Sequence, residues 1–130
     1  MREYLKVSLI VLLAVAFSST ANAEPGTCRA IDGDTFECRG ERIRLENADA
    51  PELHARCAAE LDAARAARLF AQAALDGALV IEIKIHQRRQ RDRYGRTLAR
   101  VLVDGDDLGG LMINAGLARH YHGERRQGWC

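Results

Sequence analysis

Serine is missing from most of this sequence. Ser8, Ser18 and Ser19 are the only three, and all fall within the first 23 of 130 residues. No serine nucleophile remains beyond them, which excludes a serine-hydrolase triad there. Lysine is almost as scarce, with Lys84 the only one after Lys6. No glycine-rich loop ending in lysine is there to cradle a nucleotide phosphate. A second long apolar stretch is also lacking: Val7 to Phe17 stands alone, and its 11 residues are too few to cross a bilayer as a helix. Neither an internal repeat nor a linker interrupts the chain.

What is present begins with Arg2 and Lys6, then that apolar stretch, then Ala21-Asn22-Ala23. A basic start, a short apolar core and an A-x-A site are the parts of a secretory signal peptide. The expectation is a signal over residues 1–23, cleaved after Ala23, and one secreted or periplasmic domain over residues 24–130, monomeric and without a membrane span. At 107 residues that domain is near the lower limit for a self-sufficient core.

Without Arg2, Glu3 and Lys6 the domain carries 17 basic and 17 acidic residues, unevenly placed. Residues 24–62 hold 5 basic against 10 acidic side chains, and residues 63–130 hold 12 against 7. The basic residues are almost all arginine, whose planar fork suits carboxylate or phosphate. The four cysteines, Cys28, Cys38, Cys57 and Cys130, are an even count in an exported domain and read as two disulfides. Cys28 and Cys38 lie five residues either side of Gly33 and would face each other on a hairpin centred there, leaving Cys57 for Cys130. Four reduced cysteines, or a zinc site with His54, His120 or His122, are the alternatives; the spacings match no zinc ribbon.

Short strands are expected at Cys28–Ile31, Thr35–Cys38 and Arg42–Leu45, around tight turns at Asp32-Gly33-Asp34 and Arg39-Gly40-Glu41, with Gly33 supplying backbone freedom. Asn47 to Pro51 reads as irregular. Residues 58–76 read as a helix, with Asp62, Arg65, Arg68, Gln72 and Asp76 forming a solvated stripe opposite an alanine-rich face. Leu79, Ile81, Ile83 and Ile85 alternate as a strand, a basic loop runs to Arg96, and Leu98–Val103 is the last strand. Asp107 caps a short helix ending before Gly116. Five short strands interrupted by a helix suggest a small closed barrel with helices packed on it, of which the OB-fold is the commonest.

The chemistry-bearing residues are Asp34, Asp49 and Glu52 with Arg44 and Arg96. Carboxylates and a backbone carbonyl are the ligands of a hard cation. Two arginines beside them would clamp a phosphodiester and neutralise charge growing on its oxygens, and a remaining carboxylate can take a proton from water. The segment from His86 to Arg100 holds six arginines against Asp92 alone, with Tyr94 among them, the composition of a single-stranded nucleic-acid site. Asp104-Gly105-Asp106 is no EF-hand, because its twelfth position is Ala115.

Ile31-Asp32-Gly33-Asp34-Thr35, Ile43-Arg44-Leu45, Asp49-Ala50-Pro51-Glu52, Asp92-Arg93-Tyr94-Gly95-Arg96 and Gly116-Leu117-Ala118, in that order, resemble the staphylococcal (thermonuclease-type) nuclease family. The resemblance implies a mainly β fold with α, a five-stranded OB-fold barrel with flanking helices. It also implies hydrolysis of DNA and RNA that depends on calcium (Ca2+), with little sequence specificity and 3′-phosphate products. Asp34 and Asp49 then match metal carboxylates, and Ala50 the residue that ligates through its carbonyl. Glu52 matches the general base, Arg44 and Arg96 the phosphate-binding arginines, and Arg93 and Tyr94 nucleotide-binding positions. Asp32 matches the first acid of the turn, and a later family tyrosine falls on His122. The family's third helix is expected to be truncated or absent, since the sequence ends at Cys130. None of the matched catalytic residues is near that tail, so the tail is expected to serve stability rather than catalysis. The rival function is a catalytically inactive OB-fold module that binds single-stranded nucleic acid.

Overall fold

The computed structural model describes residues 27–85 and 91–130. The expected signal segment and the loop arginines Arg88 and Arg89 lie outside the described residues.

Strands β1 (Cys28–Asp32) and β2 (Thr35–Cys38) form an antiparallel hairpin, and β3 (Glu41–Leu45) returns along β2. After the two-residue β4 (Ala48–Asp49), helix α1 (Ala58–Gly77) carries the chain over to β5 (Ile81–Ile85). Strand β6 (Thr97–Val103) pairs antiparallel with β5 and parallel with β3. The sheet therefore runs β1-β2-β3-β6-β5, with β7 (Asp106–Asp107) on the side of β6. Helix α2 (Leu108–Asn114) and strand β8 (Arg119–His120) complete the described chain. These are the expected strands and both helices, with β4, β7 and β8 added.

The sheet is open, not the closed barrel expected: among the described residues no strand joins the outer edges of β1 and β5. The free edge of β1 is taken instead by a residue the helical pattern assigns to solvent. The Gln72 side chain accepts the Ala30 N–H at 2.8 Å and donates to the Cys28 carbonyl at 3.3 Å, so it occupies the free edge of β1 from α1. Pairing at Cys28↔Cys38 explains why those groups face outward. The two Cα atoms are only 4.2 Å apart, the spacing of a non-hydrogen-bonded pair, whose polar groups point away from the partner strand. Strand β5, lacking cover, leaves Ile83 and Ile85 over a third exposed, and Leu79 and Val80 before it more so.

Both disulfides have the expected pairing, Cys28–Cys38 and Cys57–Cys130. Such bonds form and persist in oxidising compartments. No helix of the described residues is long and apolar enough to cross a membrane.

The alanine face of α1 lets it approach closely. Ala64, Ala67, Ala71 and Leu75 are buried at helical spacing, in a core that includes Phe36, Ile43, Leu45, Val101, Leu108 and Met112. Gly33 is needed for that approach rather than for backbone freedom. Its φ is not in the left-handed region, but a Cβ there would meet Ala67 Cβ at 2.7 Å and Ala50 Cβ and Met112 Cε at 3.0 Å. The close fit brings the β1–β2 turn, and with it Asp34, against Ala50. At the other end of α2, Asp107 accepts the Gly109 N–H as cap and the Asn47 amide at 2.7 Å, tying that helix to the loop before β4.

Asn47 to Pro51 is not wholly irregular. Ala48 pairs with His120 and Asp49 with Arg119, so β8 and the tail that follows it lie beside Asp49.

Candidate active site

Asp34 leaves the β1–β2 turn buried, with Oδ2 accepting the Ala50 N–H at 2.8 Å and Oδ1 the Thr35 hydroxyl at 3.0 Å. Arg44, opposite Thr35 in the β2–β3 register, is also buried. Its Nη1 donates to the carbonyls of Leu45 (2.5 Å) and Ala48 (2.6 Å), which fixes the fork. Its Nη2 then faces the acids, 3.1 Å from Asp49 Oδ1 and 3.4 Å from Asp34 Oδ2. The Tyr121 ring lies 5.4 Å from the Arg44 guanidinium carbon, a cation–π contact that steadies it further.

Arg96 enters from the β5–β6 connection and joins the same group through Thr35, whose hydroxyl it reaches with Nη1 at 3.2 Å. Asp92 orients it. One carboxylate oxygen accepts the backbone N–H groups of Tyr94 and Arg96, and the other accepts Arg96 Nε at 2.7 Å. Burial acts against the charge of Asp92, but these hydrogen bonds prevail and hold its carboxyl below the usual carboxylate range. Beside it Tyr94 is 67% exposed, with the guanidinium carbons of Arg93 and Arg96 at 4.8 Å and 5.3 Å from its ring centre. That is an open platform with positive charge behind it.

The remaining member was not legible beforehand. Arg126, from the tail after β8, donates Nε to Asp49 Oδ1 at 2.6 Å and Nη1 to Glu52 Oε1 at 2.5 Å; its Nη2 stands 3.4 Å from the Ala50 carbonyl. These are three of the oxygens that the sequence assigns to cation and base. Burial works against the charge on Arg126, but the hydrogen bond to Glu52 and the charges of Asp49, Glu52 and Asp34 outweigh it and raise its pKa further. The tail, distant in sequence from the residues matched to catalysis, thus reaches them in space.

The donor set fits a hard divalent cation in kind, since Asp34, Asp49, the Ala50 carbonyl and Glu52 offer only oxygen. Two arginines interleave those acids. Among the described residues, the one group of three or more acids, histidines and cysteines with ligand atoms mutually within 4.8 Å is Cys57, Glu60 and Cys130. Its two cysteines are bonded to each other and offer no thiolate. His120 and His122 stack on one another, 6.4 Å between centres, so Tyr121 and not His122 is the aromatic on Arg44.

Burial comes first among the causes that push the carboxyl groups of Asp32 and Asp49 up; Arg126 opposes it at both, and the neighbouring Asp34 adds to it. A raised carboxyl pKa means that the folded chain holds protons the unfolded chain has released. Stability from these two groups is therefore lost as pH rises from about 3.8, the unfolded value, through the folded value, and regained on acidification. Asp32→Asn keeps an acceptor for the Leu53 N–H, now 3.0 Å from Asp32 Oδ1. It is expected to raise the melting midpoint of calcium-free protein at pH 7, and that gain should shrink as pH falls toward 4. An equal gain at both pH values would remove charge as its cause.

A family described as "Staphylococcal nuclease homologue" matches residues 42–128, which hold all of the site except Asp34, Thr35 and the turn before them. A relative, the succinoglycan biosynthesis protein ExoI of Rhizobium meliloti (strain 1021), is 36% identical over 113 residues, covering 83% of this chain. The match spans 59% of that relative's length. With the open OB-like sheet, its flanking helices and this match over most of the described residues, the chain belongs to the staphylococcal nuclease homologue family.

Proposed function

We propose that the protein is an exported, calcium-dependent nuclease that hydrolyses phosphodiester bonds of DNA and RNA with little sequence preference and leaves 3′-phosphate ends. The observation that carries this reading is Arg44 between Asp34 and Asp49, joined to Arg96 through Asp34 and Thr35, with Arg126 linking Asp49 to Glu52 and the Ala50 carbonyl. The two disulfides and the A-x-A site at Ala23 support export.

In this reading Glu52 takes a proton from a water molecule as that water's oxygen bonds to phosphorus. Arg44, through its Nη2 edge, and Arg96 donate to the non-bridging oxygens, where negative charge grows. The bond from phosphorus to the 5′ oxygen breaks, and that oxygen takes up a proton and departs as an alcohol. Asp34, Asp49 and the Ala50 carbonyl would hold the calcium ion, which when bound supplies positive charge against the phosphate. Tyr94 offers a base a stacking face, and Arg93 attracts the backbone. The Rhizobium relative is named for succinoglycan biosynthesis, and no residue of this site argues for carrying that role over.

Single-stranded DNA incubated with the protein and calcium should be cut to fragments with 3′-phosphate ends, and excess chelator should stop the cutting. Binding without cleavage at any calcium concentration would assign the chain instead to non-catalytic nucleic-acid binding.

A further inference from the structure

The tail beyond β8 crosses the site and is fastened on both sides of it. At one end β8 pairs with β4 and the Tyr121 N–H donates to the Asn47 carbonyl at 3.1 Å; at the other, Cys130 is bonded to Cys57. Between these anchors Arg126 touches Asp49, Ala50 and Glu52. It also forms a shared wall of two clefts, one of about 360 Å³ lined by Glu52 and one of about 140 Å³ lined by Asp49. Were the tail displaced, the two would join around the acids.

We propose that Arg126 is a tethered internal cation that competes with calcium for the oxygens of Asp49 and Ala50 and occupies the base Glu52, making the closed tail an autoinhibitory latch. The proposal rests on the reading above that these oxygens serve a cation and a base. A calcium ion held by Asp49 and the Ala50 carbonyl needs direct contact with their oxygens, and a guanidinium already placed on them stands in that position. With Arg126 seated, Glu52 is ion-paired and its Oε1 is already taken. A group held on a short tether acts at an effective concentration in the millimolar range, so it raises the calcium needed to fill the site. The latch can open without disturbing the core, because the Arg126 side chain is 38% exposed and Arg44 stays with Asp34 and Asp49 when it leaves. The Cys57–Cys130 bond keeps the free tail near the site and so sets how strongly it competes.

Calorimetric titration of calcium chloride into the full, oxidised chain, without nucleic acid, tests this. Arg126→Gln removes the charge at a partly exposed position and should bind calcium at least about tenfold tighter than the wild type, since a unit charge in contact with the acids is lost. The paired substitution Cys57→Ser with Cys130→Ser keeps Arg126 but unties the tail; its affinity should fall between the two. The calcium concentration for half-maximal cleavage should drop in the same order. Calcium binding in Arg126→Gln equal to or weaker than in a calcium-binding wild type would overturn the latch and leave the metal reading intact. If wild type and Arg126→Gln both give the heat trace of Asp49→Ala, the calcium site itself is wrong and the competition falls with it.

Discussion

Arg44→Lys is expected to lower kcat on single-stranded DNA by about 10²–10³, the usual loss when a fixed electrostatic stabiliser is removed. An ammonium brings the same charge to the acids, so the loss measures geometry. Arg44 is held by two carbonyls on one nitrogen, by Asp34 and Asp49 on the other, and by the Tyr121 ring. Lysine cannot bond two backbone carbonyls and at the same time present a planar edge to phosphate oxygens. Those carbonyls would lose their donor inside a buried site, at a cost of about 1–3 kcal/mol in stability. Urea unfolding and turnover, both measured well below the melting midpoint, separate the two effects. Arg96→Ala should lose a similar factor in rate with less effect on folding, since Arg96 is only half-buried. Wild-type turnover in folded Arg44→Lys would remove Arg44 from the reaction.

Much of this arrangement was legible because it is local. The hairpin that faces Cys28 with Cys38, the strand β5 and the Asp107 cap each depend on residues within a few positions of one another, and each is found. Long-range choices were not legible. Gln72 reads as solvated from its spacing in the helix, yet it bonds the edge of β1, 42 residues away. Gly33 reads as a turn residue needing freedom, and is instead a place where no side chain fits. In the site, Asp34, Arg44 and Asp49 lie together because the β2–β3 register sets Arg44 opposite Thr35 and Asp34 bonds the Ala50 N–H. Arg126 was missed. It lies 74 residues beyond Glu52 in a segment without a period, and only the β4–β8 pairing and the last disulfide bring it back. An unassigned Arg125-Arg126 pair just before a cysteine with a distant partner was the one available signal.

Untying that tail should have the largest effect on stability. Cys57→Ser with Cys130→Ser opens a loop whose ends are 73 residues apart in sequence, and the chain-entropy model assigns such a bond about 4 kcal/mol. For a domain of this size the melting midpoint should fall by about 15 °C or more. The bond secures more than its own ends. It holds Trp129, half-buried, against Arg119, whose guanidinium carbon lies 3.7 Å from the ring centre and whose Nη1 donates to the Gly128 carbonyl. It also joins Cys130 to the start of α1, where Cys57 Sγ accepts the Glu60 N–H and Glu60 answers with a bond to the Arg56 N–H. Losing Cys28–Cys38 should cost less, because a separation of 10 residues restrains the unfolded chain less and the hairpin ladder already holds those strands. Scanning calorimetry of the two paired-serine variants gives the order directly. A larger drop for the hairpin pair would mean that the tail contributes little to the fold, and that its place across the acids is its main role.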